Sequence, residues 1–87
     1  MDPDTAAAYA KAYHLTTDAV LDWWRALPSA VQPVIARCFK QGRTPNPHDG
    51  PDWIEQHKLY EQGLKSFGEF VFESFMQQEQ MVTGEVV

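Results

Sequence analysis

The sequence predicts an all-α protein, a small helical bundle in which three short helices pack on one long C-terminal helix. Apolar residues recur at helical spacing in four stretches, and prolines and glycines separate these stretches. No stretch shows the alternation expected of a strand. The 87 residues suffice for a single domain, and a content of 44% hydrophobic and 13% aromatic residues allows a core without disulfides or a metal.

The first helix is predicted over about residues 4–14. Pro3 and Asp4 suit a helix start, and the alanine-rich run that follows has high helix propensity. Tyr9 and Tyr13 are four residues apart and therefore share a face. We expect that face to lie against the body of the protein, with the hydroxyl groups near water.

The second helix is predicted over about residues 17–27, starting at Thr16 or Thr17. Its inner face is expected to present Trp24, between Val20 and Leu27. Two adjacent tryptophans cannot share a face, so one of Trp23 and Trp24 should be partly exposed.

The third helix is predicted over residues 31–41, with Pro33 in its first turn and Gly42 as its C-terminal cap. Cys38 lies on its apolar face and has no second cysteine to pair with, which indicates a reducing compartment and a cytoplasmic protein. Residues 43–51 contain three prolines and a glycine and should form a stiff, irregular connector.

The long helix is predicted over residues 52–82, with Asp52 and Glu55 as a capping box and a frayed tail at 83–87. A narrow stripe of apolar and aromatic residues marks its expected inner face: Trp53, His57, Tyr60, Leu64, Phe67, Val71 and Phe75. The predicted core of the bundle consists of Val20, Trp24, Leu27, Val31, Ile35, Cys38, Tyr60, Leu64, Phe67 and Val71.

Three apolar residues of the long helix, Ile54, Phe72 and Met76, fall off this stripe on its acidic side. In one interpretation, another helix of the chain covers this side, or a kink at Gly63 or Gly68 turns Phe70, Phe72 and Met76 inward. A straight helix of about 46 Å would overhang a domain with a radius of gyration of about 12 Å, so the helix either breaks near the glycines or contacts another chain. In the other interpretation these residues form a partner surface, for which phenylalanine and methionine are typical.

The net charge of −5 is distributed unevenly. Residues 1–22 carry −3, residues 23–48 carry +4 and residues 49–87 carry −6. The positive segment includes Arg37, Lys40 and Arg43 near the end of the third helix, where cations favour the helix terminus. The opposite charges either complement each other within the chain or form two surfaces that attract different partners.

Catalytic and metal chemistry finds little support in the sequence. His48, Asp49, Asp52 and His57 are the best candidate metal ligands, but Asp52 is already explained as a cap and His57 as a stripe residue. Cys38 sits on an apolar face without a neighbouring base, so we expect no catalytic residue and no enzyme activity. No cofactor and no metal site are expected.

The second and third helices also suggest a helix-turn-helix, with Gln32, Arg37 and Lys40 as DNA contacts. The net negative charge opposes phosphate binding, so nucleic acid is a weak candidate. There is no apolar run long enough for a membrane span, and no signal peptide is visible.

We therefore expect a small acidic protein that binds a protein partner as an inhibitor, adaptor or assembly factor. Small acidic chains without catalytic constellations are often encoded by phages or mobile elements and directed at a host machine. The expected partner-binding residues are Ile54, Glu69, Phe72, Glu73 and Met76, with Arg37, Lys40 and Arg43 as a second, basic surface. The alternative is a scaffold component that forms a homodimer through its long helix.

Overall fold

The computed structural model describes the backbone of residues 1–86 and the side chains of residues 1–77. Its elements are listed in chain order: α1 (Pro3–Ala12), α2 (Thr17–Arg25), α3 (Val31–Gln41), a 3₁₀ turn (Pro47–Asp49) and α4 (Trp53–Val86). No strand occurs within residues 1–86. The prediction of an all-α bundle with three short helices and one long C-terminal helix is confirmed.

Local sequence signals explain where the short helices begin and end. The Asp2 carboxylate accepts the Thr5 amide at 3.0 Å and caps α1, and the Thr16 hydroxyl accepts the Ala19 amide at 3.1 Å and caps α2. Gly42 ends α3 in the left-handed conformation, with a φ of 69°, as predicted for a C-terminal cap.

Helix α4 has 34 residues and is unbroken at Gly63 and Gly68. It continues to Val86, so the backbone is helical at residues 83–86, where a tail was predicted, and Val87 lies outside the described residues. At about 1.5 Å per residue, α4 is roughly 51 Å long. It therefore accounts for most of the longest dimension of the molecule, which measures 56 × 22 × 19 Å.

The core is an aromatic cluster centred on Phe67 of α4, which is 6% exposed. Five rings have centroids within 4.8 to 6.2 Å of the Phe67 ring, and they belong to Tyr9, Tyr13, Trp23, Phe39 and Phe70. Most of these pairs meet edge to face, the arrangement that ring electrostatics favours. Phe67 thus joins α1, α2 and α3 to the long helix.

The structure corrects the assignment of Trp24 to the core. Trp23 is buried at 8% exposure, whereas Trp24 is partly exposed and packs against the outside of the core. The Trp23 indole N–H donates to Ser66 Oγ at 3.0 Å across the α2–α4 contact, and the Trp24 indole N–H donates to the Gln32 carbonyl at 2.8 Å. Both polar groups are satisfied, and the position of α4 decides which tryptophan is covered.

The buried face of α4 is also rotated from the predicted stripe. Gly63 and Phe67 are buried and Phe70 is half-buried, while Leu64 is 39% and Phe75 62% exposed. The assignment of Leu64 to the core and of Phe75 to the inner face is therefore wrong. Two further predicted core residues of α4, Tyr60 and Val71, are only partly buried. The physical reason is the close approach of α3 at Gly63, which turns Leu64 away from the bundle.

Candidate functional site

Helix α4 carries a large exposed apolar surface. Among residues 53–77, whose side chains the structure describes, five large apolar side chains are well exposed: Ile54 (55%), Leu64 (39%), Phe72 (64%), Phe75 (62%) and Met76 (39%). No kink turns Phe72 or Met76 inward, since α4 is helical throughout. Exposed aromatic and methionine side chains on one helix are typical of a protein contact surface.

Part of this surface forms an open groove of about 550 Å³, which we call the apolar groove. Seven residues line it: Tyr13, Leu64, Phe67, Gly68, Val71, Phe72 and Phe75. Tyr13, near the end of α1, forms one wall, held by an edge contact with Phe67 at 5.2 Å between ring centroids. At Gly68 an added Cβ would meet no atom within 4 Å, so the glycine leaves a notch in the exposed face.

The groove residues of α4 follow a regular spacing. Leu64, Gly68, Val71 and Phe75 are separated by four, three and four residues. This is the spacing of the contact positions in a coiled coil, where side chains of a second helix fit between those of the first. The groove residues of α4 therefore lie along one face of the helix, at a spacing that a second helix could match.

A second, partly acidic cleft lies on the side of α4 that faces α2, and its glutamates point about 120° to 180° around the helix away from Leu64, Val71 and Phe75 of the apolar groove. Glu69 and Glu73 of α4 are both exposed. With Asp22 of α2 they line an open cleft of about 510 Å³, whose walls include Trp23 and Phe70. The predicted site residues Glu69, Phe72, Glu73 and Met76 therefore lie together on one part of α4.

Ile54 does not belong to this surface. It lies 18 residues before Phe72 on the same helix, a distance of roughly 27 Å along the helix axis. Its side chain is 55% exposed near the start of α4. Ile54 is thus an isolated apolar residue, and single exposed apolar residues are common on protein surfaces.

The predicted basic surface is partly neutralised within the chain. Arg43 Nη2 contacts Asp49 Oδ1 at 2.7 Å, and this hydrogen bond holds the pKa of the Asp49 carboxyl below its usual range. Arg37 donates to Gln56 Oε1 at 3.4 Å. Lys40 is exposed on the same helix as Arg37. Arg37 and Lys40 are exposed cations, whereas Arg43 binds Asp49 and so stabilises the connector between α3 and α4.

Gln32, the first proposed DNA contact, has an internal role. Its side-chain amide donates to the carbonyl oxygens of Arg25 and Leu27, both at 2.9 Å. These carbonyls lie at the carboxyl end of α2, where acceptors lack partners within the helix. Gln32 therefore caps α2. Its side-chain amide is engaged within the protein, which weakens its assignment as a DNA contact.

Among the described side chains, the predicted metal ligands are not brought together into one cluster. Within residues 1–77, no three His, Cys, Asp or Glu side chains are grouped so that they would hold a metal. Asp49, one of the candidate ligands, bonds Arg43 and the Asn46 amide. Cys38 is buried, and burial raises the pKa of its thiol, which disfavours the reactive thiolate.

Comparison with known proteins identifies no relative of this chain. The chain matches no known protein family, no curated protein and no solved structure. Across the described part of the chain, no helix is both long and apolar enough to cross a bilayer.

Of the seven residues that line the apolar groove, only Phe72 was assigned to a partner surface from the sequence. Leu64, Val71 and Phe75 were assigned to the inner face of α4, and Tyr13 to the body of the protein. Their spacing carried a usable signal. The apolar residues of α4 span too wide an arc for one inner face, because Phe72 and Leu64 are both apolar yet about 80° apart on a helix of 3.6 residues per turn. An arc of that width indicates two contact faces.

Proposed function

We propose that this protein is a non-catalytic binding protein that acts by docking another protein on the apolar groove of α4, as an inhibitor, adaptor or assembly factor. The observation that carries the proposal is the grouping of Leu64, Phe72, Phe75 and Met76, all well exposed, on one part of a single helix. The buried free thiol of Cys38 agrees with a cytoplasmic setting.

The position of the groove on α4 supports this role. Among residues 53–77 of α4, Phe70 and Val71 are the last that pack against the core. The helical backbone continues to Val86, about 22 Å further along the axis. Helical segments of this length are marginal when nothing packs on them. A partner that covers Phe72, Phe75 and Met76 would bury apolar surface and support this part of α4.

The proposal is tested with two matched double variants. Phe72→Glu with Phe75→Glu places two carboxylates in the apolar groove. Gln41→Glu with Gln62→Glu adds the same charge at exposed positions outside it. Each tagged protein is incubated with nuclease-treated lysate of its native cell, and the protein retained by the unmodified chain is identified and purified.

The affinity of each variant for that purified protein is then measured. We expect the control variant to bind as the unmodified chain does and the groove variant to bind at least about tenfold more weakly. Equal binding by the groove variant would refute the proposal. If the lysate experiment instead recovers only the protein itself, and the protein is a dimer in solution whereas the groove variant is a monomer, the scaffold alternative would replace the proposed binding of another protein.

A further inference from the structure

The face of α4 that forms the apolar groove is uncharged. All seven described residues that line the groove are apolar or neutral. The neighbouring glutamates, Glu69 and Glu73, point about 120° to 180° around the helix from the groove residues of α4. Two such grooves can therefore be placed face to face without burying a charge, and the acidic residues of both chains stay in solvent.

The same face carries a projection and a depression at matching places. Phe75 is 62% exposed, whereas a Cβ added to Gly68 would meet no atom within 4 Å. The two residues are seven positions apart, about 10.5 Å along the helix axis. In an antiparallel pair of α4 helices with a two-fold axis between Val71 and Phe72, Phe75 of each copy lies opposite Gly68 of the other. The surface is thus self-complementary, as a two-fold dimer requires.

The orientation of the pair follows from this match. In a parallel pair each Phe75 would face the other Phe75 and each Gly68 the other Gly68, so both notches would stay empty. The antiparallel pair fills both notches with an aromatic ring, in the manner of the knobs and holes of coiled coils.

The extent of the bundle agrees with an axis at this place. Among residues 53–77, Phe70 and Val71 are the last that pack against the core, while the helical backbone continues to Val86. In the antiparallel pair Val86 of one copy lies opposite His57 of the other. The part of each α4 beyond its own bundle therefore runs along the bundle half of the other α4, within its length.

The area available indicates a weak pair. A phenylalanine side chain presents about 150 to 250 Å², and Phe72 and Phe75 are 64% and 62% exposed. The four rings of two copies thus supply roughly 400 to 600 Å², whereas stable specific interfaces bury about 1,200 Å² or more. The remaining groove residues add to this area without making the interface a large one, so we expect the pair to form and dissociate reversibly.

From these observations we propose that a second copy of this chain covers the apolar groove in the absence of a partner, as a reversible antiparallel α4–α4 pair with its two-fold axis between Val71 and Phe72. The inference rests on the proposed function, since it adds a regulation of the same site. A partner has to displace the second copy, and its apparent affinity falls as the fraction of free grooves falls. At low concentration the chain is a monomer whose groove is open.

The mass of the intact protein in solution tests the pairing. Analytical ultracentrifugation over a wide concentration range should show a monomer at the dilute end and a dimer at the concentrated end. Phe72→Glu with Phe75→Glu should stay monomeric throughout, because the pair would bury four carboxylates. Gln41→Glu with Gln62→Glu, which adds the same charge outside the groove, should dimerise as the unmodified chain does. A monomer at every concentration, or equal dimerisation of both variants, overturns the proposal.

Two cysteine variants locate the axis. In the antiparallel pair the two copies of residue 71 are offset by about 1.5 Å along the axis, and the two copies of residue 68 by about 10.5 Å, which is beyond the reach of a disulfide. Mild oxidation should therefore convert Val71→Cys, but not Gly68→Cys, into a covalent dimer. The unmodified chain is the control, since its Cys38 is buried. A covalent dimer of Gly68→Cys, or none of Val71→Cys, overturns the antiparallel arrangement.

The binding partner purified from lysate separates this inference from the proposed function. We expect the oxidised Val71→Cys dimer to bind that partner at least about tenfold more weakly than the reduced protein does, with recovery on reduction. Equal binding by the two forms would show that the second copy does not cover the groove, and the inference fails. A protein that is always monomeric but loses its partner in Phe72→Glu with Phe75→Glu keeps the proposed function and loses this inference. A protein that dimerises as described, but whose Phe72→Glu, Phe75→Glu variant still binds the partner, loses the proposed function instead.

Discussion

Gly63 of α4 lies directly against Ile35 of α3. A Cβ added to Gly63 would overlap the Cδ1 and Cγ1 atoms of Ile35 and come within 3.1 Å of Val31 Cγ1. Ile35 is fully buried, so it has little room to move. This contact decides which face of α4 is inside, and it therefore turns Leu64 and Phe75 outward to form the apolar groove.

The first prediction concerns this contact. Gly63→Ala should lower the free energy of unfolding by about 1 to 3 kcal/mol, because overpacking outweighs the gain of about 1 kcal/mol in helix propensity. Gly68→Ala is the matched control, since its Cβ enters open space and should stabilise the protein by up to about 1 kcal/mol. Urea unfolding of both variants tests this, and a Gly63→Ala protein as stable as the Gly68→Ala protein would contradict it.

The fold class was predictable because its signals are local. Pro33 in the first turn of α3, Gly42 after its last turn and the alanine-rich run of α1 act within a few residues of their own position. The rotation of α4 was not predictable in this way. It depends on the approach of α3 at Gly63, which is a tertiary contact, and the sequence showed only that a bend or a close contact was needed there.

The second prediction concerns the hydrogen bond between Trp23 and Ser66. Ser66→Ala should cost about 0.5 to 1.5 kcal/mol, because the part-buried indole N–H of Trp23 would lose its acceptor. The loss should be much smaller in a Trp23→Phe background, where no N–H remains to be satisfied. Thermal or urea unfolding of the two single variants and the double variant measures this coupling, and strictly additive losses would rule it out.

The tryptophan pair shows a second limit of the sequence. A helical wheel places Val20, Trp24 and Leu27 on one arc, but Val20, Trp23 and Leu27 fit an arc of similar width. Only the neighbouring helices choose between these arcs, and in the structure Trp23 contacts Phe67 and Ser66 of α4. The candidate site was predicted only in part for the same reason. Phe72 and Met76 fall off the apolar stripe of α4 in the sequence, whereas Leu64 and Phe75 lie on it and were assigned to the inner face.

The third prediction concerns the cap of α2. Gln32→Glu keeps the shape of the side chain but removes both amide donors to Arg25 and Leu27 and adds a negative charge at the negative end of the helix. We expect a loss of about 1 to 2 kcal/mol in unfolding free energy at neutral pH. Gln41→Glu, at an exposed position, is the control for the added charge. No difference between the two variants would show that the Gln32 bonds contribute nothing.

The fourth prediction concerns acid stability. Hydrogen bonds from Thr5 lower the pKa of Asp2, and the hydrogen bond from Arg43 lowers the pKa of Asp49. Both carboxyls therefore have lower pKa values in the folded than in the unfolded state, and their stabilisation is present above the unfolded pKa of about 4. It is lost as the pH falls below that value towards the folded pKa.

The unfolding free energy should thus decrease below a pH of about 4. The decrease should be shallower in Asp2→Asn and in Asp49→Asn, because each variant lacks one of the two linked protonations. Unfolding curves measured across this range would contradict the assignment if the variants follow the unmodified chain.

The fifth prediction compares Phe67 with Phe75, two phenylalanines that lie eight residues apart on α4. The sequence assigned both to one inner stripe and so predicts similar costs of truncation. In the structure Phe67 is 6% and Phe75 62% exposed. Phe67→Ala should therefore lower the unfolding free energy by about 3 to 5 kcal/mol through the cavity in the aromatic cluster. Phe75→Ala should change it by less than about 1 kcal/mol, since little of its surface is buried.

The same pair separates stability from binding. If the apolar groove docks a partner, Phe75→Ala should weaken binding of that partner while leaving the unfolding curve almost unchanged, because an exposed anchor contributes only in the complex. Phe67→Ala, in contrast, should strongly lower the unfolding free energy. A Phe75→Ala protein that is as destabilised as the Phe67→Ala protein would mean that Phe75 is covered in solution by the chain itself or by a second copy, and that the groove is not free to receive another protein.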